Sequence, residues 1–217
     1  YNADTPGASE FWYMLLNLGY RIGCTATSDA AFDVGRTPGD ERGATFVRMG
    51  ALTETELLKG LRERRTVVSW DGAVVLMEID GASSGDILRP DGSLRRGRLT
   101  VYDRPGKEID LKLIRNGCAV RSFFGRIPAE GTRYFEFEFV EREISWYLAE
   151  LREKGTPDRI RSAASPIYFR DERFREPEIL PAPRSFSREF LDWMKFLSID
   201  ELTSPETLEQ FRRFLKE

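Results

Sequence analysis

The chain has 217 residues, of which 33 are Lys or Arg and 36 are Asp or Glu, and it contains no histidine. Without histidine, these residues by themselves cannot build a Ser-His-Asp triad, a Cys-His pair or a histidine-ligated metal centre. A nucleic-acid binder usually has an excess of basic residues, whereas this chain has a net charge of −3. No apolar run approaches the roughly 20 residues of a membrane helix. We therefore expect neither nucleic acid nor a membrane as a partner.

The first quarter of the sequence alternates helices and short strands, which is typical of α/β proteins. Gly19 suits the C-terminus of a first helix, and Thr53 with Glu56 forms a capping box that begins a second. The predicted elements are a helix over 7–19, a strand over 21–27, a polar loop over 28–43, a strand over 45–49 and a helix over 54–63.

From residue 65 to about 170 the sequence predicts strands and no long helix. Tyr134 to Val140 alternates phenylalanines with polar residues, which indicates a strand with one wet face. Asn116-Gly117 is a strong hairpin signal. The predicted strands cover 66–70, 74–80, 98–102, 109–115, 119–123, 134–140, 145–151 and 167–169. Such a series favours an immunoglobulin-like antiparallel β-sandwich.

The last part of the sequence changes character again. Prolines at 177, 181 and 183 predict an extended linker. Ser187 and Ser204 are each positioned to cap an amphipathic helix, with Pro205 at the first helical position of the second. We expect these helices to dock on the body of the protein, although a partner-binding role is an alternative.

The acidic loop that follows the Arg21–Thr27 strand holds the best candidate for chemistry. Asp29 would lie just beyond a strand end, where α/β folds place ligands and catalytic groups, and a carboxylate there suits a divalent metal. Alternatively, Asp29 or Ser28 hydrogen-bonds its own turn. One carboxylate does not hold a catalytic metal, so further ligands must come from elsewhere; Asp33, Asp40 and Glu41 are candidates.

Arginines and cysteines supply the remaining candidates. Arg36 and Arg42, together with Arg48, would bind an anionic substrate near the acidic loop, or else pair with its carboxylates on the surface. Cys24 and Cys118 are 94 positions apart, which gives no zinc-ligand spacing. The sequence does not decide whether the two cysteines are free thiols or form a disulfide.

The order of several short motifs resembles the end of PHP-type metallohydrolases. This is the polymerase and histidinol phosphatase superfamily, and the similarity is to its carbaryl-hydrolase-like (CehA/McbA) branch. The run from Glu10 to Arg21 is similar to a helix motif E-W-Y-x-L-L-N-x-G-(F/Y), and Thr27-Ser28-Asp29 to a strand end G-(S/T)-D. Further short motifs of the family have matches in the same order along this chain, at residues 42–47, 64–72, 80–81 with 85–86, 111–117, 145–147 and 165–168.

The resemblance, which covers residues 9 to about 170, implies metal-dependent hydrolysis of phosphate esters or of carbamate and related esters. It implies divalent metal (Zn, Mn or Fe) bound by histidines and carboxylates at barrel strand ends. Asp29 falls on a late aspartate ligand. The family often has histidine two residues later, where this chain has Ala31, as the carbaryl-hydrolase-like branch tolerates.

The family's upstream histidine motifs would lie before Tyr1. The resemblance therefore implies a C-terminal fragment whose partners are its own upstream PHP segment and a small ester or phosphate substrate. We expect the chain by itself to be inactive and to bind no metal tightly.

We predict an α+β fold: residues 1–64 as the last α/β units of a PHP barrel, 65–170 as the sandwich, and 171–217 as linker and helices. An alternative function is a non-catalytic β-sandwich that recognises carbohydrate or protein. Trp70, Tyr102, Trp146 and Tyr147 are candidates for a sugar-stacking platform, although aromatic residues of a sandwich more often lie in its core or at a domain interface.

Overall fold

The computed structural model describes residues 8–26 and 43–174. Two helices are found within these ranges, α1 (Ala8–Asn17) and α2 (Glu54–Arg62). The strands are β1 (Ala44–Val47), β2 (Thr66–Ser69), β3 (Val74–Ile79), β4 (Ala82–Ser83), β5 (Ile87–Leu88), β6 (Leu94–Tyr102), β7 (Glu108–Arg115), β8 (Cys118–Arg126), β9 (Thr132–Val140), β10 (Ser145–Glu153), β11 (Thr156–Ala164) and β12 (Ile167–Phe169). The predicted linker and C-terminal helices lie outside the described residues.

The strands form two sheets. Sheet A has eight strands and contains the path β1-β2-β11-β10-β12-β5, while β7 pairs with β10 and β8 pairs with β7. Sheet B has four strands in the order β4-β3-β6-β9. Every strand pair among the described residues is antiparallel except β12 with β5. Two mainly antiparallel sheets with two short helices confirm the predicted β-sandwich character.

The main hydrophobic core lies between the two sheets. Alternate residues of β3, β6 and β9 meet alternate residues of β7 and β10 there, as two inward-facing sheet surfaces must. The buried members are Val67, Ala73, Val75, Met77, Ile79, Leu99, Val101, Ile109, Leu111, Leu113, Ile127, Phe137, Tyr147, Ala149, Leu151, Ala164, Ile167 and Phe169.

A second core covers the opposite face of sheet A. Helix α1 contributes Trp12, Tyr13 and Leu16, which pack against Leu148 and Trp146 of β10. Cys24 and Ala26 belong to the same cluster. Both faces of the central strands of sheet A are therefore covered, and for this reason the β10 positions 145–151 are all buried. Strand β8 of the same sheet is exposed.

Several local predictions are confirmed. Thr53 caps α2, because its side chain accepts a hydrogen bond from the backbone N–H of Glu56. Gly19 follows α1 with a φ of 95°, the left-handed conformation that suits a helix C-terminus. Asn116 and Gly117 have φ values of 50° and 88°, as a type I′ hairpin requires.

Two local predictions are wrong. Residues 21–26 form no strand and join no sheet ladder; side-chain hydroxyls bind the backbone at Cys24 and Ala26. Strand β11 was not predicted, since its sequence combines charged and small residues without alternation. No helix in the described ranges is long and apolar enough to span a membrane.

Candidate functional site

The residues proposed from the sequence as ligands lie outside the described part of the chain. Asp29, Arg36 and Arg42 all fall within 27–42, as do the other acidic residues of that loop. Their roles stay predictions. The structure describes the chain up to Ala26, three residues before Asp29, and again from Gly43.

Side-chain hydroxyls hold the segment that leads towards Asp29. Thr45 Oγ1 accepts a hydrogen bond from the Ala26 N–H and donates one to the Ala26 carbonyl, both at 2.9 Å. Ser165 Oγ accepts from the Cys24 N–H at 2.9 Å, and Thr66 Oγ1 donates to the Cys24 carbonyl at 2.7 Å. These three residues, which we call the hydroxyl cluster, satisfy backbone groups that a strand partner normally satisfies.

The hydroxyl cluster also surrounds the thiol of Cys24. Cys24 Sγ lies 3.3 Å from Ser165 Oγ and 3.5 Å from the Ala163 carbonyl oxygen. Burial raises the pKa of the Cys24 thiol, although hydrogen bonds from Ser165 and Thr66 oppose this. A protonated, buried thiol is a poor nucleophile, so Cys24 has a structural role here.

Close packing explains the glycine in this segment. A β-carbon on Gly23 would lie 3.0 Å from Arg64 Cβ and 3.1 Å from the hydroxyl oxygens of Ser165 and Thr66. Larger residues would push the segment away from sheet A. Glycine therefore lets the backbone reach the hydroxyl cluster.

Helix α1 holds the segment from its other side. Trp12 Nε1 donates to the Ile22 carbonyl at 3.0 Å. Trp146 Nε1 donates to Asn17 Oδ1 at 2.9 Å, and Asn17 Nδ2 donates to the Asn116 carbonyl at 3.3 Å. Helix α1 is thus bound directly to the sandwich.

Two arginines complete this attachment. Arg64 Nε donates to the Arg21 carbonyl at 2.7 Å, and Arg170 Nη2 donates to the Gly19 carbonyl at 2.9 Å. Charge-assisted bonds of this kind are stronger than neutral ones. Residues 19–26 are consequently fixed at both ends and in the middle.

A fully buried carboxylate lies beneath α1, but its environment does not suit catalysis. Glu150 is 0% exposed. Tyr13 donates a hydrogen bond to its Oε1, while Arg152 donates to its Oε2 from Nε at 3.0 Å and from Nη2 at 2.6 Å. Because both oxygens are engaged and no solvent reaches them, Glu150 attaches α1 to β10. Sequence reasoning did not identify this residue.

A second carboxylate network closes one end of the sandwich. Glu141 accepts hydrogen bonds from Arg115 Nε at 2.8 Å and from the hydroxyls of Ser145 and Tyr147, each at 2.8 Å. Burial by itself would raise the pKa of Glu141, but these bonds and the Glu143 backbone N–H outweigh it and lower the pKa to about 2. Glu141 therefore stays ionised and serves as a structural acceptor.

A third network lies around Arg161 of β11. Its guanidinium binds Asp71 at 2.6 Å and Asp103 at 2.8 Å. Burial would lower the pKa of Arg161, yet the bonds to the two aspartates raise it above its ordinary value. This pairing attaches β11 to two loops and leaves the buried charge compensated.

The aromatic residues proposed as a stacking platform do not form one surface. Trp146 and Tyr147 are buried, at 3% and 4% exposure, and Trp70 packs against the second core. Tyr102 is 42% exposed on sheet B, where Tyr134 of the neighbouring strand is 57% exposed. The platform prediction is wrong for the buried tryptophan and tyrosine of β10.

The remaining candidates are also accounted for. Cys24 and Cys118 are both free, so there is no disulfide. Arg48 pairs with Asp86 at 3.9 Å. Within residues 8–26 and 43–174, no group of three or more Cys, Asp or Glu side chains is arranged to bind a metal.

No protein-family model matches this chain, and no curated protein is significantly similar to it.

Proposed function

We propose that this chain is the C-terminal portion of a metal-dependent hydrolase that acts on phosphate, carbamate or related esters. In this proposal the sandwich holds the segment from which Asp29 emerges, and the upstream part of the protein supplies the other ligands. The ordered motifs between residues 9 and 170 support the assignment of class. The described residues do not by themselves form a metal-binding site.

The observation that carries the proposal is the anchoring of residues 19–26. A metal ligand must be held to within about half an ångström of its productive position. The hydroxyl cluster, α1 and two arginines fix the backbone up to Ala26. Such rigid support directly before Asp29 is what a metal ligand on a following turn requires.

The test uses the full-length product of the encoding gene, supplied with Zn, Mn or Fe in turn. We expect metal-dependent hydrolysis of 4-nitrophenyl phosphate or of a naphthyl N-methylcarbamate, with loss of bound metal in Asp29→Asn. Ser165→Ala should weaken metal affinity about tenfold to a hundredfold, as loss of a supporting residue does. Ser122→Ala, which changes an exposed serine, is the matched control.

Two outcomes would refute the assignment. One is a full-length protein that neither binds these metals nor hydrolyses either ester. The other is an Asp29→Asn variant with unchanged metal content and activity.

One observation favours a second candidate, a carbohydrate-binding surface on sheet B. Tyr102 and Tyr134 are exposed on adjacent strands, and Arg98 Cζ lies 5.9 Å from the Tyr134 ring centroid. Exposed rings stack on sugars, and charged neighbours bind hydroxyls. On a glycan array, saturable binding that Tyr134→Ala abolishes and Phe124→Ala preserves would support this candidate; no binding would exclude it.

A further inference from the structure

A cavity of about 290 Å³ opens along one side of the sandwich, between β1 and β2 of sheet A and β3 of sheet B. Phe46 and Val67 form its wall on sheet A, and Val74, Leu76 and Met77 form its wall on sheet B. This side is open because β4 pairs with β3 only at Glu78 and Ile79. The volume is at the lower end of the range for small-molecule sites.

Apolar side chains at the cavity remain partly uncovered. Phe46 is 46% exposed and Leu76 is 39% exposed. Val67 and Met77, deeper in the wall, are buried members of the main core. The cavity therefore has a rigid apolar floor and accessible apolar sides, which suits a small ring or a short acyl chain.

Two arginines line the same cavity. Arg65 Nη2 pairs with Glu63 at 2.8 Å, while Arg65 Nε is buried and finds no acceptor among the described residues. Arg48 pairs with Asp86 at only 3.9 Å, and its side chain is 56% exposed. A buried N–H without an acceptor is costly, and a loosely paired exposed arginine can reorient towards a ligand.

One acidic residue lies beside these arginines in the cavity lining. Glu78 is the carboxylate among the lining residues, and the β3–β6 register places Arg98 directly opposite it. Arg98 itself pairs with Glu136 at 3.1 Å, so Glu78 contributes a negative charge to the cavity lining. An anion there would bind through the Nε–H of Arg65, which finds no acceptor among the described residues, and through Arg48, whose contact with Asp86 is long.

We propose that this cavity binds a small amphipathic anion, with one aromatic ring or short acyl chain and one carboxylate or phosphate. The apolar part would contact Phe46, Val67 and Leu76. The anionic group would accept hydrogen bonds from Arg65 and Arg48, which are charge-assisted and the strongest polar contacts that the cavity offers. This site does not depend on the hydrolase assignment.

The test titrates the full chain with 3-phenylpropionate, followed by calorimetry and by NMR shifts. The neutral probe is 3-phenylpropan-1-ol, which has the same ring and chain. We expect saturable binding of the acid and binding at least about tenfold weaker for the alcohol, since the charged hydrogen bonds are lost. The Arg65→Met substitution should weaken binding of 3-phenylpropionate by a similar factor.

Two further variants separate the cavity from general surface effects. Leu76→Trp fills the cavity from a partly exposed position and should abolish binding even if Arg65→Met fails to fold. Leu94→Trp and Arg96→Met alter exposed positions of sheet B outside the cavity and should leave binding unchanged. Equal affinity for acid and alcohol, no saturable binding of the acid, or unchanged binding by Leu76→Trp would overturn the proposal.

Discussion

Glu141 holds one end of the sandwich together, and replacing it with glutamine should destabilise the protein at neutral pH. Its carboxylate accepts two bonds from Arg115, at 2.8 and 3.1 Å, and one each from the hydroxyls of Ser145 and Tyr147. Glutamine keeps the shape and one acceptor oxygen but removes the charge. The variant therefore reports on charge-assisted bonding rather than on packing.

The size of the effect follows from the pKa of Glu141, which falls from 4.5 to about 2 in the folded protein. That change corresponds to at most about 3–4 kcal/mol of folding free energy. Solvent beside Arg115, whose side chain is 26% exposed, screens part of it, so we expect about 2 kcal/mol.

The same pKa predicts how the effect depends on pH. A carboxyl whose pKa is lowered by folding stabilises the protein above its unfolded value of 4.5. This stabilisation is lost as the pH falls towards about 2, because the carboxyl then becomes protonated in the folded state as well. The difference between wild type and Glu141→Gln should shrink over that interval.

Urea unfolding, followed by tryptophan fluorescence at a series of pH values, measures this difference directly. The matched control is Glu138→Gln, since Glu138 forms an exposed pair with Arg96 at 3.2 Å and should change stability by less than about 1 kcal/mol. Equal effects of the two substitutions at neutral pH would refute the reasoning. So would a Glu141→Gln deficit that persists unchanged at acid pH.

Three further predictions concern single residues. Gly97→Ala should destabilise the protein by about 1–3 kcal/mol in urea unfolding, because its β-carbon would overlap the Phe137 ring; an unchanged midpoint would contradict this. In the native protein a thiol reagent should label Cys118, which is exposed, but label the buried Cys24 only after unfolding; mass spectrometry of the labelled peptides decides. Ser165→Ala should lower the free energy of unfolding by about 1–3 kcal/mol, because the buried Cys24 N–H loses its acceptor; full stability by thermal unfolding would argue against the hydroxyl cluster.

Strands with one wet face were predictable from the sequence because their side chains alternate. In β9, Phe137 is 4% exposed, whereas Glu136 and Glu138 face solvent. Strand β11 gave no such signal, because Arg161 is buried by aspartates 58 and 90 positions away. Sequence patterns within a short window contain no information about such distant partners.

The attachment of residues 19–26 was harder to predict for a similar reason. The small and β-branched residues there indicated a strand, but the hydroxyl cluster consists of residues from β1, β2 and the β11–β12 connection. One signal was present: Pro166 interrupts the run between β11 and β12, and the serine before it turns to bind Cys24. The sequence does not show that the backbone of Cys24 lies beside this proline, so the role of the serine could not be predicted.

The coverage of sheet A limits what the sandwich can do. The inner face of sheet A packs on sheet B, and the outer face of its central strands packs on α1 and on residues 22–26. Strand β8 at one side of the sheet stays exposed. Trp146 and Tyr147 are buried and so cannot stack on a glycan. Burial of both faces of the central strands explains why β10 is buried continuously from residue 145 to 151. Among the described residues, β8, the outer face of sheet B and the open side near β3 are therefore the surfaces left for binding.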